Sequence, residues 1–364
     1  MTRADHPTRV ERFDRGGQSS NRRTGVHSVR IRVSDAETCG HDIDACGCAS
    51  VAALSGFLMA LHQATGRWQI GLPLAITTAV FWATLPIAIR LVIEHVDVWT
   101  LIWSRFVVAA VMLAAWSAMR GGFAQFRTLS RSGWWLILLA AVMLIGNFVG
   151  YTIGLDYTTP ANAQLLIQAA PLLMSIGGIL VFHERFNAWQ WAGVVAVAVG
   201  LALFAFDQSR HSSVPQQQYL IGAAIVLVSA VVWAVYALAQ KQLLQHLGSG
   251  AVMMLIYAIS ALLLTPFASP KQLLGLDNMH MLALGYCLIN TVAAYGAFAE
   301  ALVHWEASRV GVVLAVTPLL TVISVELAHR LNPALVLAET ITTLGYVGAA
   351  VVVIGSAMAS LSRK

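Results

Sequence analysis

Charged residues are scarce in this sequence. Asp, Glu, Lys and Arg make up 11% of its 364 residues, whereas apolar residues make up 58%, and the mean hydropathy is +0.72. A typical soluble domain carries about 25% charged residues, so this composition excludes water as the main solvent. From Trp68 almost to Lys364, apolar stretches long enough to cross a bilayer recur with short polar breaks. We therefore predict one membrane domain that fills most of the chain.

Cysteine is also scarce. It occurs four times, three times before residue 50 and once, as Cys287, inside an apolar stretch. So few cysteines, placed in this way, exclude a disulfide framework. A zinc site made by the N-terminal cysteines and a histidine is an alternative, but its spacing does not match a closed zinc finger, and we expect neither a metal nor a cofactor. The residues of that alternative are Cys39, His41, Cys46 and Cys48.

Motifs of catalysis and of nucleotide binding are missing. The sequence has no HExxH, no GxSxG, no paired aspartate motif and no P-loop. It also lacks a regular ring of charges that would line a pore. An intramembrane enzyme and a channel-like pore without active coupling remain the alternatives to a transporter. The net charge of +5 reflects basic residues near the N-terminus and between spans, so it reports membrane topology and no nucleic acid partner.

Residues 1–67 form an N-terminal extension of different character. They are rich in Arg, Asp, Ser and Gly and have little apolar periodicity. Such a segment cannot bury enough apolar surface to offset its chain entropy, so we expect it to be disordered. Met59 opens a short basic lead into the first apolar stretch and is an alternative start of translation.

Ten apolar stretches predict ten transmembrane helices. Backbone groups in hydrocarbon must bond within their own element, and the stretches do not alternate apolar and polar residues as barrel strands do. The predicted fold class is therefore all-α, with the ten helices arranged as two inverted five-helix repeats. The predicted spans are 70–90, 98–119, 133–155, 161–182, 188–206, 219–243, 250–268, 279–303, 308–329 and 337–360.

Basic residues between the spans predict the orientation. Nine lie on the side that holds the two ends of the membrane domain, and four lie on the opposite side. Lys and Arg accumulate on the cytoplasmic side, so we expect both termini in the cytoplasm of a multi-pass inner membrane protein. The nine are Arg67, Arg120, Arg127, Arg131, Arg185, Lys241, Arg309, Arg363 and Lys364, and the four are Arg90, Arg210, Lys271 and Arg330.

The two halves of the membrane domain, 68–206 and 207–364, resemble each other in sequence. Five spans per half is an odd number, so equivalent positions face opposite sides of the membrane, and such inverted repeats permit alternating access to a central site. The aligned pairs are Trp82 with Trp233, Arg90 with Lys241, Arg105 with Tyr257, Pro171 with Pro318, Glu184 with Glu339, Gly193 with Gly348, and Gly200 with Gly355.

One insertion interrupts this alignment. Pro318 and Glu339 are 21 positions apart, against 13 between Pro171 and Glu184. The extra residues predict that the ninth helix runs longer or breaks before Pro333, because a proline disfavours helix in the residue before it.

These features together resemble the drug/metabolite transporter superfamily, EamA type. The resemblance covers about residues 70–360 and is carried by the two halves, Trp82 in the first span, Arg105 in the second, the run into Pro171, and the Glu–Gly–Gly tail of the fifth span. It implies a bacterial inner-membrane carrier for secondary transport, often efflux, of amino acids or related small metabolites.

Three ionisable residues fall inside predicted spans, where a charge needs a partner, water or a role. Arg105 can grip a substrate carboxylate through its planar fork, or can be structural. Glu300 can carry a proton or pair with a substrate amine, and the alternative is a bond to a neighbouring helix. Glu326 has a weaker claim, because His329 and Arg330 lie one turn away.

Uncharged residues complete the candidate site. Gln164 and Gln168 are one helical turn apart, as are Asn147 and Tyr151. Aromatic residues can form walls or cation–π contacts with an amine, and prolines can supply flexure and free carbonyls. Helix packing explains such residues equally well. The aromatic candidates are Trp82, Trp233, Tyr236 and Tyr295, and the prolines are Pro171 and Pro318.

Overall fold

The computed structural model describes residues 65–119, 126, 129–182, 187–212, 214–305, 307–333 and 341–360. Regular structure in these ranges is helical throughout. The first six helices are α1 (Trp68–Val92), α2 (Val98–Met119), α3 (Arg131–Tyr157), α4 (Pro160–Leu166), α5 (Ala169–Phe182) and α6 (Ala188–His211). The next six are α7 (Gln216–Leu243), α8 (Ser249–Leu264), α9 (Asn278–His304), α10 (Ala307–Leu314), α11 (Thr317–Leu331) and α12 (Thr343–Ser360). Two 3₁₀ turns, Thr265–Phe267 and Pro270–Gly275, join α8 to α9.

The helices are long and apolar enough to cross a bilayer. Nine spans meet this condition within the described ranges, and the apolar helix Thr343–Ala359 is shorter. The all-α prediction is confirmed. The fifth span extends beyond its predicted end at 206, because α6 continues to His211. The expectations for residues 1–64 and for Glu184 and Glu339 fall outside the described residues.

Two spans are broken near their middles. The fourth consists of α4 and α5, with turns at 167–168, and the ninth consists of α10 and α11, with turns at 315–316. Pro171 and Pro318 follow these breaks and have no N–H to donate to the carbonyls four residues earlier. The Leu314 carbonyl, which receives no hydrogen bond from Pro318, accepts one from Nε2 of Gln168 at 2.9 Å. The two breaks are thus joined to each other.

The end of α11 matches the predicted position. The helix runs to Leu331, and Asn332 then adopts an extended conformation immediately before Pro333. An extended residue before proline avoids the clash that helical geometry would produce there. The predicted break before Pro333 is confirmed.

Helices from the two sequence halves pack in matching pairs. In these pairs α1 lies against α9, α3 against α7, α2 against α8, and α6 against α12. Glycines bring α6 and α12 into backbone contact: a Cβ on Gly200 would lie 2.7 Å from the Gly348 carbonyl oxygen, and one on Gly355 would lie 2.9 Å from that of Gly193. These glycines thus permit close packing of the two helices.

The outer surface of the bundle is apolar. Exposed side chains on its helices include Val111, Leu180, Leu262 and Leu282. A water-soluble protein does not expose so much contiguous apolar surface, so the surface is suited to lipid.

A candidate solute site around Arg105

A cavity of about 70 Å³ lies inside the bundle, which is room for a few water molecules or a small solute. It is lined by residues of α1, α2, α3, α4, α5, α7 and α9, by the break between α4 and α5, and by Leu314 and Thr317 on either side of the break between α10 and α11. Nine of the twelve residues proposed from the sequence line it: Trp82, Arg105, Asn147, Tyr151, Gln164, Gln168, Pro171, Trp233 and Tyr295.

Arg105 is the charged group of this cavity. The residue is 2% exposed. Its Nε donates to the hydroxyl of Thr291 at 2.8 Å. The Thr291 hydroxyl in turn donates to the Cys287 carbonyl at 2.8 Å, and this second bond fixes the orientation of the hydroxyl. The guanidinium lies 4.4 Å from the ring centre of Phe148. Among the described residues, no carboxylate forms an ion pair with Arg105.

A buried cation without an anion is costly in a membrane protein. Burial removes the hydration of the guanidinium, and one neutral hydrogen bond with one cation–π contact restores only part of that free energy. A guanidinium has five N–H donors, and Nε uses one of them on Thr291. The other donors remain for a ligand in the cavity. A carboxylate matches their planar fork better than any other common group.

Aromatic rings form one wall of the cavity. The ring centre of Trp82 lies 6.0 Å from that of Trp233, 5.2 Å from that of Tyr295 and 5.5 Å from that of Phe298. Phe148 continues the wall, with its ring centre 5.2 Å from that of Tyr295. Trp82 and Trp233, aligned in the two sequence halves, therefore meet each other in the structure.

Polar side chains of the other wall are held by helix-to-helix bonds. The Tyr151 hydroxyl donates to Gln164 Oε1 at 2.9 Å, and Asn147 Nδ2 donates to the Ser229 hydroxyl at 3.1 Å. Gln164 lies before the break in the fourth span, and Gln168 lies within it. Hydrogen bonds within the protein therefore already fix the orientation of the polar side chains in this wall.

Some polar atoms of the cavity have no partner in the described part of the protein. They are Nε1 of Trp82 and the hydroxyl oxygens of Thr152 and Thr317, all buried. Buried polar groups in native proteins nearly always find a hydrogen bond. Water or a polar solute in the cavity would supply those bonds.

Three of the proposed residues lie outside the cavity. Glu300 is 41% exposed at its side chain, accepts a hydrogen bond from the Ser249 hydroxyl, and lies 3.2 Å from Nε2 of His304. Tyr236 is buried behind Trp233, with its hydroxyl directed at the Met253 sulfur. Pro318 lies next to the cavity residue Thr317.

Glu326 pairs with a neighbour on its own helix. Its Oε1 lies 2.6 Å from Nε of Arg330, and both side chains are more than half exposed. The alternative of a simple local pair, considered from the sequence, is the one observed.

Several residues of the site were missed by sequence reasoning. Thr291, Phe148, Thr152 and Thr317 contact the cavity or Arg105, but threonines and phenylalanines are ordinary in apolar helices. Thr317 could have been identified from its position in the sequence, because it directly precedes Pro318, which aligns with Pro171. Thr291 had no comparable signal, because its role depends on how α2 packs against α9.

Long apolar helices around a cavity that contains a buried guanidinium define an integral membrane protein. The profile of the EamA-like transporter family matches this chain twice, over residues 69–206 and 220–361. The chain belongs to this family.

The names of curated relatives are consistent with this family assignment. An "Uncharacterized transporter" of Haemophilus influenzae is 32% identical over 81% of this chain and 96% of its own length. The "Uncharacterized inner membrane transporter YhbE" of Escherichia coli K12 is 30% identical over 81% of this chain and 92% of its own. A "Probable amino-acid metabolite efflux pump" of Salmonella typhimurium is 25% identical over 58% and 71% of the respective chains.

A crystal structure also has a similar fold. It superposes with a TM-score of 0.57 at 20% identity, and the match covers 79% of this chain and 96% of the other. The family and the names of the relatives indicate a multi-pass membrane transporter rather than an enzyme.

Proposed function

We propose that this transporter exports a small carboxylate-bearing metabolite, such as an amino acid, by alternating access. The observation that carries the proposal is Arg105, a buried cation at the cavity without a carboxylate partner among the described residues. A solute carboxylate would complete the guanidinium's hydrogen bonds and neutralise its charge in one step.

The aromatic wall supports an amine on the same solute. Trp82, Trp233 and Tyr295 present ring surfaces to the cavity, and a substrate ammonium gains about 0.5–2 kcal/mol over such a ring face. A guanidinium and ring faces that line the same cavity fit the two charges of an amino acid. The name of the Salmonella relative, an amino-acid metabolite efflux pump, supports the same substrate class and direction.

Alternating access is supported by the two-fold pattern of the fold. The first span of each sequence half packs against the third span of the other half: α1 lies against α9, and α7 lies against α3. The breaks before Pro171 and Pro318 lie at the cavity and are joined by the bond from Gln168. Inverted repeats that rock about such a site would expose it to each side in turn, with the broken helices as points of flexure.

The charge distribution supports cytoplasmic termini. With that orientation, Glu300 lies near the cytoplasmic end of α9, and the cavity residues Leu85 and Ile89 lie in the outer half of α1. Glu300 is accessible and paired with His304, so its proposed role is exchange of a coupling proton rather than contact with the solute. Lipid, solute and protons are then the partners of this protein.

Counterflow in proteoliposomes tests the proposal. Vesicles loaded with one amino acid should accumulate the same labelled amino acid from outside, with saturation and competition by other carboxylate-bearing amines. Flux that never saturates and drives no exchange would indicate a channel instead. Chemical conversion of the label would indicate an enzyme.

A further inference from the structure

A second cluster of polar side chains lies away from the cavity, where the turn after α1 meets the start of α9. Glu94 and His95 belong to that turn, and His280 lies in the first turn of α9. Each offers one metal-ligand atom, and the three atoms lie within 4.8 Å of one another. The imidazole ring centres of His95 and His280 are 4.1 Å apart.

One histidine of this cluster is already oriented by a carboxylate. Asp277 Oδ1 lies 2.5 Å from Nδ1 of His280 and also accepts the His280 backbone N–H at 2.9 Å, as the N-cap of α9. Histidines that bind metals usually donate their second ring nitrogen to such a carboxylate, which fixes the tautomer and increases the basicity of the ligating nitrogen. Asp277 leaves Nε2 of His280 for a ligand.

We propose that Glu94, His95 and His280 bind a Zn²⁺ ion, with Asp277 as the positioning residue for His280. Two imidazoles and one carboxylate are a common zinc set that leaves the fourth position to water. Ligands of tetrahedral zinc lie roughly 3.4 Å apart, so ligand atoms that lie within 4.8 Å of one another need to close by at most about 1.4 Å. Glu94 and His95 are exposed and His280 is half-buried, so the first two can rotate to make that adjustment.

The two imidazole ligands favour one class of metal ion over another. Imidazole nitrogen favours Zn²⁺ and the late transition metals over Mg²⁺ and Ca²⁺, which prefer an all-oxygen shell. A bound ion would tie the turn after α1 to the start of α9. This inference concerns the surface of the bundle and does not depend on the proposed transport.

Zinc binding to the purified full-length protein tests the site. Cys39, Cys46 and Cys48 are replaced by serine in every sample, so that these thiols cannot take the metal. Zinc titration against a chromophoric chelator should then show one more bound ion in this parent than in His95→Ala/His280→Ala. Addition of ZnCl₂ should raise the Tm of the parent, because a ligand that binds the folded state stabilises it. MgCl₂ should do neither.

Two further variants separate a built site from scattered surface histidines. Asp277→Asn keeps a good helix cap and removes the carboxylate, so zinc should bind about 10–100-fold more weakly. His246→Ala is the matched control, because the exposed His246 occupies the turn after α7 that aligns with the turn of His95. It should bind zinc like the parent. Equal zinc in the parent and the double variant, or an equal loss in His246→Ala, would overturn the proposal.

Discussion

Arg105 and Glu300 are the two ionisable residues that the sequence marks most strongly, and the structure gives them opposite surroundings. Arg105 is 2% exposed, contacts the cavity and has a neutral hydroxyl as its hydrogen-bond partner. The Glu300 side chain is 41% exposed and already bonds with Ser249 and His304. Depth in a span, which a sequence reveals, therefore does not determine whether a charge is unsatisfied. The face of the helix and the packing of its neighbours decide that.

Replacing Arg105 by methionine should give the largest effect. Loss of charge-assisted bonds worth about 1.5–3 kcal/mol should lower counterflow of carboxylate solutes by about 10–100-fold. Removing an uncompensated buried cation should at the same time raise the Tm by about 2–5 °C. Counterflow and thermal unfolding of the same preparation check both results.

Arg90→Met is the control for this substitution. Arg90 is 39% exposed at its side chain and pairs with Asp156 at 2.6 Å, and an exposed pair contributes roughly 0–1 kcal/mol. Transport and Tm should therefore change little. A clear fall in the Tm of Arg105→Met would mean that Arg105 holds the fold, and the comparison with Glu300 would lose its basis.

Thr291→Val should give an intermediate effect. The hydroxyl that accepts from Arg105 Nε disappears while the shape of the side chain is kept, so the guanidinium loses its fixed orientation. The loss of one such bond should reduce carboxylate counterflow by about 5–10-fold. Thr77→Val is the matched control, because the Thr77 hydroxyl donates only to the Pro73 carbonyl of its own helix. Equal transport by the two variants would show that Thr291 does not position Arg105.

Glu300→Gln should give the smallest effect on rate, a reduction of roughly 5-fold or less, because it alters a partly exposed pair outside the cavity. Its effect should fall on the pH profile of transport, which we expect to flatten, and not on the choice between solutes. Glu326→Gln, which alters the exposed pair with Arg330, should leave both unchanged. An unaltered pH profile in Glu300→Gln would remove its proposed role in proton exchange, and altered solute selectivity would contradict its position outside the cavity.

The spans were predictable from sequence because hydropathy is a property of the chain alone. Bounds such as 98–119 coincide with α2 (Val98–Met119). The fifth span was predicted to end at 206, directly before Asp207, but α6 continues to His211. Asp207 is fully buried there and accepts a hydrogen bond from the Thr342 hydroxyl. A tertiary partner makes that carboxylate compatible with the helix interior, and no local pattern reveals the partner.

The site was predictable where a residue type is unusual for its surroundings. Arg105, Gln164 and Gln168 are conspicuous in apolar helices, and all three line the cavity. Phe148 and Thr291 are inconspicuous, and their roles follow from contacts between α2, α3 and α9 that only the packed bundle defines. The side chain of Glu300 was conspicuous but lies on another part of the bundle, because one helix can present polar residues to different neighbours.

Direct binding of the solute carboxylate by Arg105 can be measured by comparing an amino acid with its carboxamide analogue in counterflow. The comparison is made for the parent protein and for Arg105→Lys, which keeps the charge but loses the fork. We predict that the lysine variant loses transport of the amino acid and retains transport of the carboxamide, so that the preference of the parent for the carboxylate collapses. Equal losses for both solutes would contradict the claim and make Arg105 a structural residue.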